Sequence, residues 1–87
     1  MNLAESLEIL GLSERESRVY LALLHLGPTT SSKIIRRTGI ASSKIYDVIE
    51  KLIHRGLASF IIQKGKREFH AASPEKILDM IREKENI

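Results

Sequence analysis

Helical spacing of apolar residues predicts two helices in the first third of the chain. Leucines recur at i, i+4 and i+7 within residues 2–10, which indicates a short amphipathic helix. Ser13 and Glu16 form a capping box, in which each side chain bonds the other residue's backbone N–H, so a second helix should begin there and continue to about Leu26. Because this helix carries apolar residues on two sides, we expect it at the centre of the fold.

Two further helices, joined by a turn that contains Gly39, predict a helix-turn-helix over about residues 30–55. Thr30 is the expected N-cap of the first, which runs to about Arg37. The second starts at Ala41 or Ser42, and its apolar residues follow i, i+3, i+4 and i+7. Such a pair needs a third helix packed behind it, and the helix after the capping box can fill that place.

Alternating polar and apolar residues then predict a β-hairpin, or wing, over about residues 58–71. With Lys64-Gly65 as a two-residue turn, Phe60 pairs with Phe69 on a face that should pack against the helices. The tip of the hairpin, residues 63–67, is strongly basic. After it, Ser73-Pro74-Glu75 is a helix start, with an N-cap and a proline at the first helical position.

The pattern as a whole predicts a mainly α fold with a small β-hairpin, a winged helix-turn-helix with an N-terminal and a C-terminal flanking helix. We expect residues 1–87 to form a single domain, since 87 residues leave no room for a second sensing or catalytic domain. The flanking helices carry two apolar stripes, which either cover the central helix or pair two copies of the chain. Those stripes are Leu3, Leu7 and Leu10 in one helix and Ile77, Leu78 and Ile81 in the other.

Composition excludes several classes of protein. Hydrophobic residues at 43% and charged residues at 29% are typical of a folded globular chain. The chain has no cysteine, and its three histidines fall on different elements outside any catalytic or metal-binding motif, so we expect neither an enzyme nor a metal or other cofactor. No apolar run reaches the ~18 residues of a membrane span, and no signal peptide is evident, which favours the cytoplasm and no membrane partner.

The charge is unevenly distributed. The net charge is only +3, yet residues 28–70 hold nine Lys and Arg against three Asp and Glu, and both flanks are acidic overall. A central basic block is the pattern expected of a surface that binds a polyanion, because phosphate contacts need Lys and Arg in one place. The alternative is a set of solvated faces that are basic without a partner.

The second helix of the helix-turn-helix is the expected recognition helix, with its N-terminal part in the major groove of DNA. Lys44 could donate to guanine, and Asp47 could accept from cytosine. Alternatively, Asp47 and Glu50 are surface charges paired with Lys51 and His54, and Tyr46 is half-buried against the preceding helix. Including the wing, whose cations suit phosphates or the minor groove, the expected DNA-binding residues are Thr30, Ser31, Arg36, Ser42, Ser43, Lys44, Tyr46, Asp47, Lys51, Lys64, Lys66 and Arg67.

Several segments of the chain have a distinctive sequence, among them Leu10-Gly11-Leu12-Ser13-Glu14, Thr38-Gly39-Ile40, Ser43-Lys44-Ile45-Tyr46-Asp47-Val48-Ile49 and Arg55-Gly56-Leu57. Together they resemble the N-terminal winged helix-turn-helix domain of the TrmB family of archaeal transcriptional regulators. The resemblance implies sequence-specific binding of double-stranded DNA, usually by a homodimer, in control of transcription.

The chain departs from that family at Ala41, where proline is common, and at Ser42, where a basic residue is common. The family's larger C-terminal effector domain is absent, so we expect either an excised DNA-binding domain or a small stand-alone regulator, without a small-molecule effector site. The competing hypothesis is a winged helix used as a protein-interaction module, whose basic wing meets an acidic partner of the transcription machinery. A preference among DNA sequences would distinguish the two.

Overall fold

Five helices and one antiparallel hairpin make up the computed structural model, which describes residues 2–85. The outermost positions of the predicted range 1–87, residue 1 and residues 86–87, lie outside the described residues. The elements are α1 (Leu3–Ile9), α2 (Glu14–Leu26), α3 (Ser31–Thr38), α4 (Ser42–His54), β1 (Ala58–Gln63), β2 (Lys66–Ala71) and α5 (Pro74–Glu85). The mainly α winged-helix architecture expected from the sequence is confirmed.

Local signals set the ends of the central helices. The predicted capping box is present, since Ser13 Oγ accepts from the backbone N–H of Glu16 at 3.1 Å and the Glu16 carboxylate accepts from the backbone N–H of Ser13 at 3.0 Å. Gly39 ends α3 with φ of 72°, a left-handed conformation that an L side chain rarely adopts. Thr30 stands at the N-cap of α3, but its side chain makes no capping hydrogen bond.

The core lies around α2, which contacts α1, α3, α4 and β2. Val19, Tyr20 and Leu23 are fully buried on this helix, which confirms that it occupies the centre of the fold. The Tyr20 hydroxyl donates to the Ala72 carbonyl at 2.6 Å and so fixes the segment between β2 and α5. Burial disfavours the phenolate and raises the pKa of Tyr20 above its usual value.

The hairpin has the predicted register, with Ala58 opposite Ala71 and Phe60 opposite Phe69. Thr29 forms an isolated antiparallel bridge beside β2, through two backbone hydrogen bonds to Phe69 of 2.9 and 2.7 Å. Phe69 is buried at 2% exposure, whereas Phe60 is 37% exposed. The expectation that both rings pack against the helices is therefore wrong for Phe60, because β2 lies against α2 and α3 whereas β1 is buried only at Ala58, its first residue.

The two flanking helices pack against each other, with Leu7 of α1 and Ile77 of α5 fully buried. Within the predicted stripe of α5, Ile77 and Ile81 form the buried pair, whereas Leu78 is exposed. Leu78 lies about 100° around the helix from Ile77, beyond the edge of the face that α1 covers. Most of both predicted stripes thus belongs to the intramolecular core.

Candidate nucleic-acid interface

The outer face of α4 is an exposed line of polar side chains formed by Ser43, Asp47, Glu50 and His54. The line exists because the apolar residues of this helix repeat at helical spacing and are all drawn to the opposite, buried side. A concave surface lies on each flank of the line. The two surfaces bring together residues from four different elements of the fold.

On one flank, Tyr46 faces the wing across a cleft of about 430 Å³. The hydroxyls of Ser31 and Tyr46 share a hydrogen bond of 2.9 Å across it. Tyr46 is 52% exposed, so about half of this residue is covered, and its hydroxyl contacts the preceding helix. The complete lining is Thr30, Ser31, Ser32, Tyr46, Lys66, Arg67 and Phe69, which includes five of the predicted DNA-binding residues.

The wing extends this surface away from α4. A neighbouring depression of about 550 Å³ is lined by Thr30 and by the hairpin tip, including Lys64, Lys66 and Arg67. All three predicted wing cations therefore border one continuous region next to the N-terminus of α3. Lys64 occupies the turn with φ of 51°, and Gly65 follows it with φ of 76°, so both residues of the turn are left-handed.

On the other flank of α4, a cleft of about 660 Å³ separates the recognition helix from the start of α2. This surface, which we call the α2-side cleft, contains four predicted residues, and α2 contributes the charged residues of its first turn. The complete lining is Ser13, Glu14, Arg15, Glu16, Ser43, Lys44, Asp47, Val48 and Lys51. The remaining predicted residues, Arg36 and Ser42, are exposed but line none of these three depressions.

The two acidic residues of the recognition helix have different partners. Asp47 lies 3.3 Å from Lys51, as the ion-pair alternative predicted. Glu50 is instead 3.7 Å from Arg67 on the wing, and no pair with His54 occurs among the side chains that the structure describes, so that part of the prediction is wrong. Both pairs are exposed and contribute little to stability.

Arg67 is held from two directions. Its guanidinium carbon lies 4.7 Å from the centre of the Phe60 ring, while Glu50 approaches from the recognition helix. A cation over an aromatic face is attracted by the ring quadrupole. This side chain therefore joins the wing to α4.

Arg55 belongs to the basic block of the sequence but not to this surface. Its guanidinium donates to the carbonyls of Leu10 and Gly11 at 3.0 and 3.3 Å and lies 3.3 Å from the buried carboxylate of Glu16. The side chain thereby ties the end of α4 to the turn between α1 and α2. The expectation that all central cations converge is wrong for Arg55, because a buried carboxylate and two helix-end carbonyls bind it.

Other kinds of site find no support in the described part of the chain. Residues 2–85 contain no group of three or more His, Asp or Glu side chains placed to hold a metal ion. Within the same residues, no helix is long and apolar enough to cross a membrane.

Comparison with known proteins identifies the family that this chain matches. The family model described as "Sugar-specific transcriptional regulator TrmB" matches residues 7–75. The sugar-sensing transcriptional regulator TrmBL1 of Pyrococcus furiosus is 35% identical over 79 residues, which cover 91% of this chain and 23% of that protein. The uncharacterized protein YrhO of Bacillus subtilis is 42% identical over 77 residues, 88% of this chain and 27% of that protein. The chain thus spans about a quarter of the length of these relatives.

Solved structures share the fold. TrmBL2, an archaeal chromatin protein, superimposes with a TM-score of 0.81 at 22% identity, over 97% of this chain and 33% of that one. A MarR family protein from Bacillus stearothermophilus gives 0.71 at 18% identity, over 92% and 58%. Family and fold are those of transcriptional regulators and not of enzymes, and they do not favour the protein-interaction module. The match of the family model to residues 7–75, together with the winged helix-turn-helix, shows that the chain belongs to the TrmB family of transcriptional regulators.

Proposed function

We propose that this chain reads double-stranded DNA, with the N-terminal half of α4 in the major groove and the wing on the backbone or in the minor groove. The observation that carries the proposal is the arrangement around α4, where an exposed polar line has cations on both flanks. A B-DNA major groove is about 12 Å wide and an α-helix with side chains is about 10–12 Å across, so a docked helix brings both flanks near phosphates.

The first turns of α4 supply the base contacts. Ser42, Ser43, Lys44 and Asp47 are exposed there, and among the described residues Lys44 is in no ion pair. Lys44 donates to guanine O6 or N7, while Asp47 accepts from cytosine N4. Its pairing with Lys51 also reduces the repulsion between the Asp47 carboxylate and the backbone phosphates.

The wing and the N-terminus of α3 supply the phosphate contacts. Lys64 and Lys66 are exposed and make no ion pair with any described side chain, so their charges are available to a polyanion. Thr30 and Ser31 lie beside them at the positive end of a helix dipole, where a phosphate is favoured. Arg36 and Lys51 add charge farther along the two helices.

Selection of bound duplexes from a random library tests the proposal. A selected site should bind ~10³-fold or more tightly than its scrambled version. Replacing Lys64, Lys66 and Arg67 by alanine should weaken binding to all duplexes and lower the slope of log K against log salt by about 0.9 for each phosphate that the variant no longer neutralises. Lys44→Ala should also relax the preference at one base pair.

The three cations of α5 provide a control with the same loss of charge. Lys76, Arg82 and Lys84 line none of the three depressions around α4, so their replacement by alanine should leave affinity and salt slope close to those of the parent. Equal binding by the wing variant and this control at ~0.1 M salt would refute the polyanion surface.

We also propose that two copies act together on DNA. A two-fold pair places its recognition helices ~34 Å apart, in successive major grooves. Ile9 of α1 and Leu78 of α5 are exposed apolar side chains on the two flanking helices and are available for such pairing. Sedimentation analysis measures the association directly, and a palindromic selected site would agree with it. We assign no effector site to these residues.

A further inference from the structure

The α2-side cleft contains a cation that the charge pattern of the sequence hides. Arg15 lies in the N-terminal segment, where acidic residues outnumber basic ones, yet the fold brings it to the same cleft as Lys44 and Lys51. We infer that Arg15 is a DNA-backbone contact on the rim of the major groove opposite the wing. The inference rests on the proposed function, and it means that α2 contacts the backbone of the second strand of the duplex.

The ion pairs around the cleft leave a positive surplus. Its three carboxylates each have a partner, since Glu14 is 3.0 Å from Arg18, Glu16 is 3.3 Å from Arg55 and Asp47 is 3.3 Å from Lys51. Arg15 and Lys44 are exposed and have no ion pair or side-chain hydrogen bond with the described residues. The uncompensated charges that line the cleft are therefore both cations, as a phosphate site requires.

The position of Arg15 in its helix points in the same direction. It is the second residue of α2, where the helix dipole is positive and a basic side chain is unfavourable. The acidic residues on either side suit this end of the helix, whereas Arg15 opposes it without a compensating contact in residues 2–85. A residue that breaks a local rule in this way is better explained by a partner outside the folded chain.

The geometry of a groove makes the second rim necessary. Ser43 and Asp47 belong both to the exposed line of α4 and to the α2-side cleft, so this cleft opens directly beside the docked helix. The wing and the N-terminus of α3 lie on the Tyr46 side and reach only one backbone. The other backbone then runs past α2, where Arg15 and Lys51 meet it.

Binding of a mixed-sequence duplex by Arg15→Ala tests the inference, because a phosphate contact contributes to binding of any sequence. We expect affinity to fall roughly 3- to 10-fold at ~0.1 M salt, and the salt slope to fall by about 0.9. Arg82→Ala, which removes the same charge from α5, should change neither. Thermal stability of Arg15→Ala should equal or exceed that of the parent, because the cation that it removes opposes the dipole, so weaker binding will not reflect unfolding.

Neutral methylphosphonate linkages, placed one at a time in either strand of the selected duplex, locate the contact. The parent should lose affinity at linkages on both rims. Arg15→Ala should lose its sensitivity at one linkage of one strand, whereas Lys66→Ala should lose it at a linkage of the other strand. If Arg15→Ala binds like the parent while Lys66→Ala binds weakly, the backbone contact at the second rim is refuted and the proposed function still stands. A parent chain that binds no duplex overturns both.

Discussion

Alanine at Phe69 should detach the wing from the helices, and alanine at Phe60 provides the matched control. The two phenylalanines are cross-strand partners with ring centroids 5.9 Å apart, so each substitution removes the same aromatic pair. They differ in burial, since Phe69 is 2% exposed and Phe60 is 37% exposed. Phe69→Ala leaves the backbone bridge to Thr29 in place, whereas Phe60→Ala also removes the ring that contacts the Arg67 guanidinium.

The magnitude follows from that difference in burial. Truncating a fully buried phenylalanine costs about 3–5 kcal/mol, because the transfer free energy is forfeited and a cavity remains. Phe60→Ala should cost about 1–2 kcal/mol, since part of its ring is already in water and no closed cavity forms. The expected difference is therefore about 2 kcal/mol. A domain of 87 residues has a free energy of unfolding of roughly 4–13 kcal/mol in total, so Phe69→Ala removes a large share.

Urea unfolding and thermal unfolding, both followed by circular dichroism, measure the free energy of unfolding and the Tm of both variants. At this chain length 1 kcal/mol corresponds to about 4–8 °C in Tm, so Phe69→Ala should melt at least about 12 °C below the parent. If Phe69→Ala does not fold, Phe69→Leu should still cost about 1–2 kcal/mol, and Phe60→Leu less than that. Equal losses at the two positions would show that the wing is not anchored through Phe69.

Two further predictions concern α2. Ser13→Ala should lower the free energy of unfolding by about 1 kcal/mol through loss of the capping box, and Ser13→Asp, which keeps an N-cap oxygen, should recover most of it in the same urea titration. Tyr20 has a raised pKa in the folded state, so above about pH 10 the unfolded chain binds fewer protons than the folded chain and stability falls as pH rises. Tyr20→Phe should lower the free energy of unfolding by about 1 kcal/mol at pH 7, because the hydrogen bond to Ala72 is lost. Between pH 7 and pH 11 this variant should lose less stability than the parent. An equal alkaline loss of stability in both proteins would contradict the raised pKa of Tyr20.

The parts of the fold that the sequence predicts correctly depend on neighbouring residues. The capping box needs only Ser13 and Glu16, and the hairpin register needs only the two-residue turn at Lys64-Gly65. Thr29 illustrates the opposite case, because its bridge to Phe69 joins positions 40 residues apart and has no local signal. A threonine between Pro28 and the N-cap Thr30 is typical of a loop, and only the completed wing supplies hydrogen-bond partners for its backbone.

The candidate site shows the same limit in its charges. The sequence places Arg55 in a basic block and Arg15 in an acidic flank. The charge distribution along the chain therefore favours Arg55 as a contact to the partner and Arg15 as a solvated surface residue. The fold reverses both assignments, since Arg55 binds the buried carboxylate of Glu16 and Arg15 faces the cleft beside Lys44. Whether a cation can reach DNA depends on its exposure and on the partners that the folded chain gives it, and tertiary contacts decide both. The candidate interface is therefore best judged by which positive charges the fold leaves accessible around α4, and not by where they cluster along the chain.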